Sequence, residues 1–304
     1  MNIVLETIIV EQAGRSSTSV LVSIALPVRN GADRVQGVVE SVLAQDFQNL
    51  ELVICDNAST DNTEEVCRAL AVADRRIVYH RHAEDIGLVA NFVYAMKAAN
   101  GTFIRWIGDD DSIAPTYVTK CIALFESDPR LVLVTTQLNY ITTEGMKYTR
   151  PYFDTVLLSD NPVDRFEAFL NWLADGSVAI DPLYGMIRRS VLLGIERAIT
   201  IREDEILAAK LAFAGPWGHV PEVLGERRTK IQSWSVLVRY LGAPRWHAYV
   251  PTFVQSREMA RFVKSLDLSR EQRHQAQRAV RHLFWRRHFV TLARRTRKFL
   301  SLPD

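Results

Sequence analysis

The chain has 304 residues, enough for one large α/β domain or a domain with a sizeable appendage. Hydrophobic residues make up 48%, charged residues 24%, and the net charge is +2, so a core can be built without help from disulfides. Three cysteines, Cys55, Cys67 and Cys121, are odd in number and fit no zinc spacing; they read as small buried residues in a reducing cytoplasm.

Residues 1–10 are apolar but lack a basic start, and Glu6 and Glu11 interrupt the segment, so no secretory leader is expected. No apolar run reaches the roughly 18 residues of a spanning helix. A polar leader ends at 14–18, and then strands and helices alternate. Residues 20–26 (VLVSIAL) read as a buried strand, ended by Pro27 and the Asn30-Gly31 turn. Val35, Val38, Val39, Val42 and Leu43 recur with helical spacing. Residues 50–55 read as a second strand, and a helix follows from Asp61 to about Val72 with Ser59 or Thr60 as its cap. A short strand at 77–80, a helix face from Leu88 to Ala99, a strand at 102–107, a helix through Val118 and Phe125, and a strand at 131–135 complete the series. Beyond about 140 the pattern loosens. Helices are expected at 163–174 and 204–214, a strand at 184–187, and basic helix after Ala243-Pro244.

Such alternation predicts an α/β fold, a mainly parallel sheet flanked by helices, with a helical C-terminal appendage. The expected divisions are 19–140, 141–243 and 244–304. Ligands bind beyond the carboxyl ends of parallel strands. Those ends carry Pro27-Val28-Arg29-Asn30, Asp56-Asn57 and Asp109-Asp110-Asp111. Three adjacent carboxylates repel one another unless a cation joins them. Oxygen ligands suit Mg²⁺ or Mn²⁺, with a phosphate-bearing ligand completing the shell. The bland alternative is a solvated turn in which Asp111 or Ser112 caps a helix.

The stretch VSIALPVRNGADRVQGVVESVLAQDFQNLELVICDNASTDNT resembles the opening of the family 2 glycosyltransferases. So do Asp85-Ile86-Gly87 through Asn91, the turn Asn100-Gly101, and WIGDDD, over residues 20–135 as a whole. The resemblance implies the glycosyltransferase A-type, Rossmann-like fold. By position, Pro27 and Asn30, with Val28 and Arg29 between them, line the nucleotide pocket; Asp56 contacts the base, and Gly87 and Asn91 lie in the same matched series. Asp110 is the metal ligand, with Asp109 and Asp111 beside it. Gly108 departs from the family, many members of which carry Asp there, and Asp109 stands in for the ribose contact. Lys230 stands where His is common; it either meets the diphosphate or lies on a plain surface loop. The base that draws the proton from the acceptor hydroxyl is Asp204, with Glu203 in reserve because the register is open by one residue; the alternative for both acids is complementing a helix dipole.

The implied reaction moves a sugar from a nucleoside diphosphate donor to a glycan or lipid-linked acceptor with inversion, in surface polysaccharide synthesis. A metal-dependent nucleotidyltransferase and a non-catalytic binder of nucleotides or polyanions stay open. The first lacks its Gly-rich basic loop after the first strand. From Arg270 to Lys298 ten Lys or Arg and one acid are interleaved with Phe284, Trp285 and Phe289. That composition fits a tail lying on an anionic membrane at the inner face of the cell, or a docked structural helix; nucleic acid is not expected as a partner.

Overall fold

The computed structural model describes residues 21–152, 154–176, 180–229 and 233–299, with side chains as far as 290. The leader at 14–18 and Lys230 fall outside these. In chain order the first elements are β1 (Val22–Val28), α1 (Val35–Leu43), β2 (Leu50–Asp56), α2 (Thr63–Ala73), β3 (Ile77–Arg81) and α3 (Leu88–Ala98). Then come β4 (Phe103–Trp106), β5 (Ser112–Ile113), α4 (Tyr117–Ser127), β6 (Leu133–Ile141), β7 (Lys147–Thr149) and α5 (Pro162–Asp175). The remainder is β8 (Met186–Arg188), α6 (Arg189–Leu193), α7 (Glu203–Ala214), β9 (Trp217–Arg228), α8 (Trp234–Leu241), α9 (Pro251–Ser265) and α10 (Arg270–Phe299).

Two compact units interleave along the chain. The first, residues up to 153 with 180–197 and 218–232, holds a nine-stranded sheet in the order β3-β2-β1-β4-β8-β6-β9-β5, with β7 on β6. Every residue of β1 and β2 is buried, as strands covered on both faces require. Val35, Val38, Val39 and Val42 of α1 are buried in the same core, each contributing about 1.5 kcal/mol or more.

The expectation of a mainly parallel sheet holds for β1 to β4 and is corrected beyond them. β1 pairs in parallel with β2 and β4, and β2 with β3. β8 enters antiparallel between β4 and β6. A later segment thus fills the place that a plain βα series would leave for the next parallel strand. The cap expected at Ser59 or Thr60 is also corrected. Asp61 Oδ1 accepts from Thr63 N at 3.1 Å at the start of α2, while Ser59 is turned to Asp56.

The second unit, residues 154–179, 198–217 and 233–304, is helical. α5 starts on an Asn161 cap whose side chain accepts from Val163 N, and ends at Gly176 with φ 69°. α10 packs on α5 and α9, and its Ala276, Ala279, Val280 and Leu283 are all buried. Polar partners run alongside: Gln275 with Asp164, Arg278 with Glu167, His282 with Asn171, and Arg286 with Asp175. Each pair is separated by 111 residues, and a constant offset means that the two helices run parallel. The tail read as a membrane-facing helix is therefore, through residue 287, a docked one: Arg278, Arg286 and Arg287 are engaged by carboxylates.

Candidate active site

Parallel pairing brings three turns to one edge of the sheet. Val28 pairs with Asp56 and Ala25 with Trp106, so the chain leaves β1, β2 and β4 on the same side. The turn after β1 is fastened to the turn after β2. Asn30 N donates to Ser59 Oγ at 2.9 Å, Thr60 N donates to Asn30 Oδ1 at 2.8 Å, and Gly31 N donates to Thr63 Oγ1 at 2.8 Å. Asn30 itself has φ 52°, which Asn tolerates better than most residues.

Asp56 is not open to a ligand. It is fully buried. Its Oδ1 accepts from Ser59 N at 2.9 Å and Ser59 Oγ at 2.5 Å, and its Oδ2 accepts from the Tyr79 hydroxyl at 2.8 Å and from Arg81 at 3.4 Å. The expected base contact is thus a pin beneath the loop. The side chains of Pro27, Val28 and Asn91 are buried as well. Asn91 Nδ2 donates to Cys55 O at 2.8 Å, and Asn91 Oδ1 lies 3.1 Å from His82 Nε2, tying α3 to the end of β2. Arg29, Asn30 and Gly87, like Asp109, are expected nucleotide residues that reach the surface. Arg29 forms an ion pair with Asp85. Asn57 Nδ2 donates to Asp85 Oδ1 at 2.6 Å, and Gly87 N donates to the same oxygen at 2.9 Å. Gly87 has φ 87°, a conformation that favours glycine.

The three carboxylates after β4 are divided among different partners. Asp109 is held by Arg34, whose Nη2 and Nε donate to Oδ2 at 2.6 and 3.2 Å. Arg34 Nη2 also donates to Asn30 O at 2.8 Å, so one guanidinium joins the first and third turns. The Asp109 carboxylate holds the Arg34 pKa above its usual value. Asp111 turns inward and is buried: Gly108 N donates to its Oδ2 and Arg228 N to its Oδ1, both at 3.2 Å. Burial pushes its carboxyl up, and Arg227 and Arg105 pull it back down. Asp110 is half-buried and lines a cleft of about 530 Å³ with Arg34, Asp111, Ile141, Glu226 and Arg228. Among the described residues no three His, Cys, Asp or Glu side chains converge as metal ligands. The expected set Asp109, Asp110 and Asp111 is corrected accordingly. Their backbone turn sends the three side chains to a guanidinium, a cleft and two backbone amides. One carboxylate facing a cleft still fits a hard cation that takes most of its ligands from a diphosphate and water.

Arg34 was not legible as a site residue, since its partner lies 75 positions away. Glu226 and Arg228 arrive on β9, which Gly218, Pro221 and Gly225 disguise in the sequence.

In the second unit, α7 opens with three acids after Arg202, which has φ 57°. Glu203 is buried, Asp204 is exposed, and Glu205 is half-buried. Arg287 Nη1 donates to Glu205 Oε2 at 2.6 Å and Gln255 Nε2 donates to the same oxygen at 2.5 Å. Asp204 is the acid of this turn whose side chain stands open.

A family model described as "Glycosyl transferase family 2" matches residues 23–194. An uncharacterized glycosyltransferase of Rickettsia felis is 29% identical over 161 residues, 52% of this chain and 25% of its own length. An Escherichia coli protein, "UDP-Glc:alpha-D-GlcNAc-diphosphoundecaprenol beta-1,3-glucosyltransferase WfaP", is 32% identical over 108 residues, 36% of this chain and 42% of its own length. The chain thus spans a quarter of the one relative and less than half of the other. Residues 1–349 of S. aureus TarS, solved with UDP, superpose with a TM-score of 0.63 at 15% identity, covering 84% of this chain and 69% of that one.

Proposed function

The chain belongs to glycosyl transferase family 2, and on that premise we propose that it moves a sugar from a nucleoside diphosphate donor to an acceptor hydroxyl, with inversion, in building a surface polysaccharide. The observation that carries the reading is the Asp110 cleft, where one half-buried carboxylate stands beside the exposed Arg228 at the sheet's carboxyl edge. Asp85 and Asn57, linked to Arg29 and Gly87, frame the base side, and Asp56 acts on the base through the loop it pins. Asp110 would hold Mg²⁺ or Mn²⁺ together with the donor's diphosphate, and Asp109, neutralised by Arg34, orients the turn and the ribose side. Such an ion supplies positive charge where the leaving diphosphate gains negative charge. Lys230, on the segment after β9, is assigned to the diphosphate on family position alone.

Asp204 accepts the acceptor's proton as the acceptor oxygen forms its bond to the anomeric carbon. The bond to the diphosphate breaks with its electron pair leaving on the phosphate oxygen. Exposure favours Asp204 over buried Glu203 for this role. WfaP is named for a diphosphoundecaprenol acceptor, and a lipid-linked sugar is the acceptor proposed here, met at the inner face of the cell membrane. No described helix is long and apolar enough to cross a membrane, and the placement proposed is a peripheral one.

The test is a screen of nucleoside diphosphate sugars for metal-dependent binding and slow donor hydrolysis, followed by Asp204→Asn. The variant is expected to bind donor as before and to lose roughly 10²–10⁴-fold in turnover, the scale of a general base. Full turnover in Asp204→Asn with loss in a folded Glu203→Gln moves the base by one residue. Product pyrophosphate in place of a transferred sugar establishes the nucleotidyltransferase instead.

A further inference from the structure

We propose that the face built from α8, the short 3-10 turn Arg245–Ala248 and the start of α9 docks on an anionic lipid surface. This rests on the peripheral placement above but not on the donor chemistry. α8 turns Val238 into an apolar cluster with Ile201, Ala243 and Val254, and Leu237 and Leu241 pack against it. Its other side presents Val236 and Tyr240, 47% and 54% exposed, with exposed Arg239 between them. The chain then leads through Trp246, Tyr249 and Phe253, 47%, 79% and 50% exposed. Seven of the seventeen large apolar side chains standing exposed among the described residues fall within positions 234–253. α8, the 3-10 turn and Tyr249 after it share one concavity of about 630 Å³, lined by Trp234, Arg239, Arg245, Ala248 and Tyr249 among others. Two of the seven, Trp234 and Tyr249, thus line one surface together with Arg239 and Arg245, and the other five lie within a few residues of it in the chain.

Its chemistry selects the occupant. Tyr and Trp carry an apolar ring with a polar tip, which suits the level of lipid headgroups. Between Glu226 and Glu258 the sequence holds no carboxylate and six Lys or Arg. Arg239 and Arg245 are exposed and make no ion pair among the described residues. This differs from α10, whose Arg278, Arg286 and Arg287 are already paired. Unpaired cations around exposed aromatics match a surface of phosphate headgroups over acyl chains.

The experiment sediments the full chain with vesicles of phosphatidylcholine alone or mixed with phosphatidylglycerol, at low and high salt. Wild type should bind the anionic vesicles, bind neutral ones weakly, and release as salt screens the arginines. Two variants alter the face: Tyr240→Ser/Tyr249→Ser/Phe253→Ser, and Arg239→Gln/Arg245→Gln. Each should lower partitioning by about tenfold or more, while Trp285→Ser/Phe289→Ser on α10 changes it little. Calorimetry with a nucleoside diphosphate checks every variant, and unchanged affinity shows that a vesicle defect is separate from the donor site. The proposal is overturned if wild type ignores anionic vesicles at low salt, or if the α10 variant loses binding while the face variants keep it. It is equally overturned if sedimentation equilibrium gives a dimer that the face variants abolish without any vesicle binding, because the face then covers a second copy.

Discussion

Gly108 is where the turn after β4 leaves no room. A Cβ placed there meets Asp111 Oδ2 at 2.8 Å and its Cγ at 3.2 Å, and Asp111 is fixed from both sides by the amides of Gly108 and Arg228. The Asp that many relatives carry at this position would strike a buried carboxylate and repel it. Gly108→Asp is therefore expected to lose about 1–3 kcal/mol of stability, read as a lower urea midpoint; an unchanged midpoint would show that Asp111 moves aside freely. His219 is a second such residue. It lies 2.9 Å from Thr135 Oγ1 through Nδ1, packs edge-on against Tyr152, and burial pushes its pKa down to about 4. The unfolded chain binds that proton below about pH 6.5 while the folded chain does not until about pH 4. Stability from this group is complete above pH 6.5 and is lost as pH falls toward 4. With partial solvent screening the loss at pH 5 is about 1 kcal/mol. Urea melts of wild type and His219→Asn at pH 5 and 7 measure it, and the variant should show the smaller difference between the two pH values.

The α5–α10 pair shows which contacts hold an element in place. The ladder of Arg278–Glu167 and Arg286–Asp175 lies at the surface, with the arginine side chains 63% and 56% exposed. Exposed pairs of this kind contribute about 0–1 kcal/mol each. Leu283 is fully buried in the stripe beneath them, and truncating such a side chain costs about 2–5 kcal/mol. Leu283→Ala should thus destabilise the protein severalfold more than Arg286→Ala in thermal melts. A larger effect from Arg286→Ala makes the ladder, and not the stripe, the anchor. The stripe at 276, 279, 280 and 283 was present in the sequence, but the ten basic residues around it read equally well as a lipid-facing surface. Only the acids 111 positions earlier decide between these readings, and periodicity within one helix carries no information about its partner.

For the molecule as a whole, a ligand that binds only the native state raises stability with the logarithm of its concentration relative to Kd, as RT ln(1 + c/Kd) at free concentration c. A nucleoside diphosphate at about 100 times its Kd should add about 2.7 kcal/mol, or several degrees in Tm for a chain of this size. The proposed Asp110 site predicts that this increment needs Mn²⁺ or Mg²⁺. It should vanish in Asp110→Ala, whose own Tm without ligand stays near wild type because the side chain is half-buried at a cleft. Equal stabilisation with and without metal would remove the cation from the site.

The sequence by itself determined the local elements whose signals are local. The apolar runs of β1 and β2, the valine face of α1 and the order of motifs from Pro27 to Asp111 were enough to give the α/β class and the family. It also pointed to the carboxyl edge as the candidate site, because parallel strands bring their ends together whatever the side chains are. Tertiary structure decided what each residue at that edge does. Asp109, Asp110 and Asp111 are neighbours in the chain, yet one meets Arg34 from α1's approach, one meets the cleft, and one meets the amide of Arg228 on β9. Asp56 looked like a ligand contact until Tyr79 and Arg81 from β3 closed over it. The antiparallel entry of β8 and the docking of α10 were settled in the same way. Each depends on a partner dozens of residues distant, and pairing at that range is fixed by packing, which composition and spacing do not record.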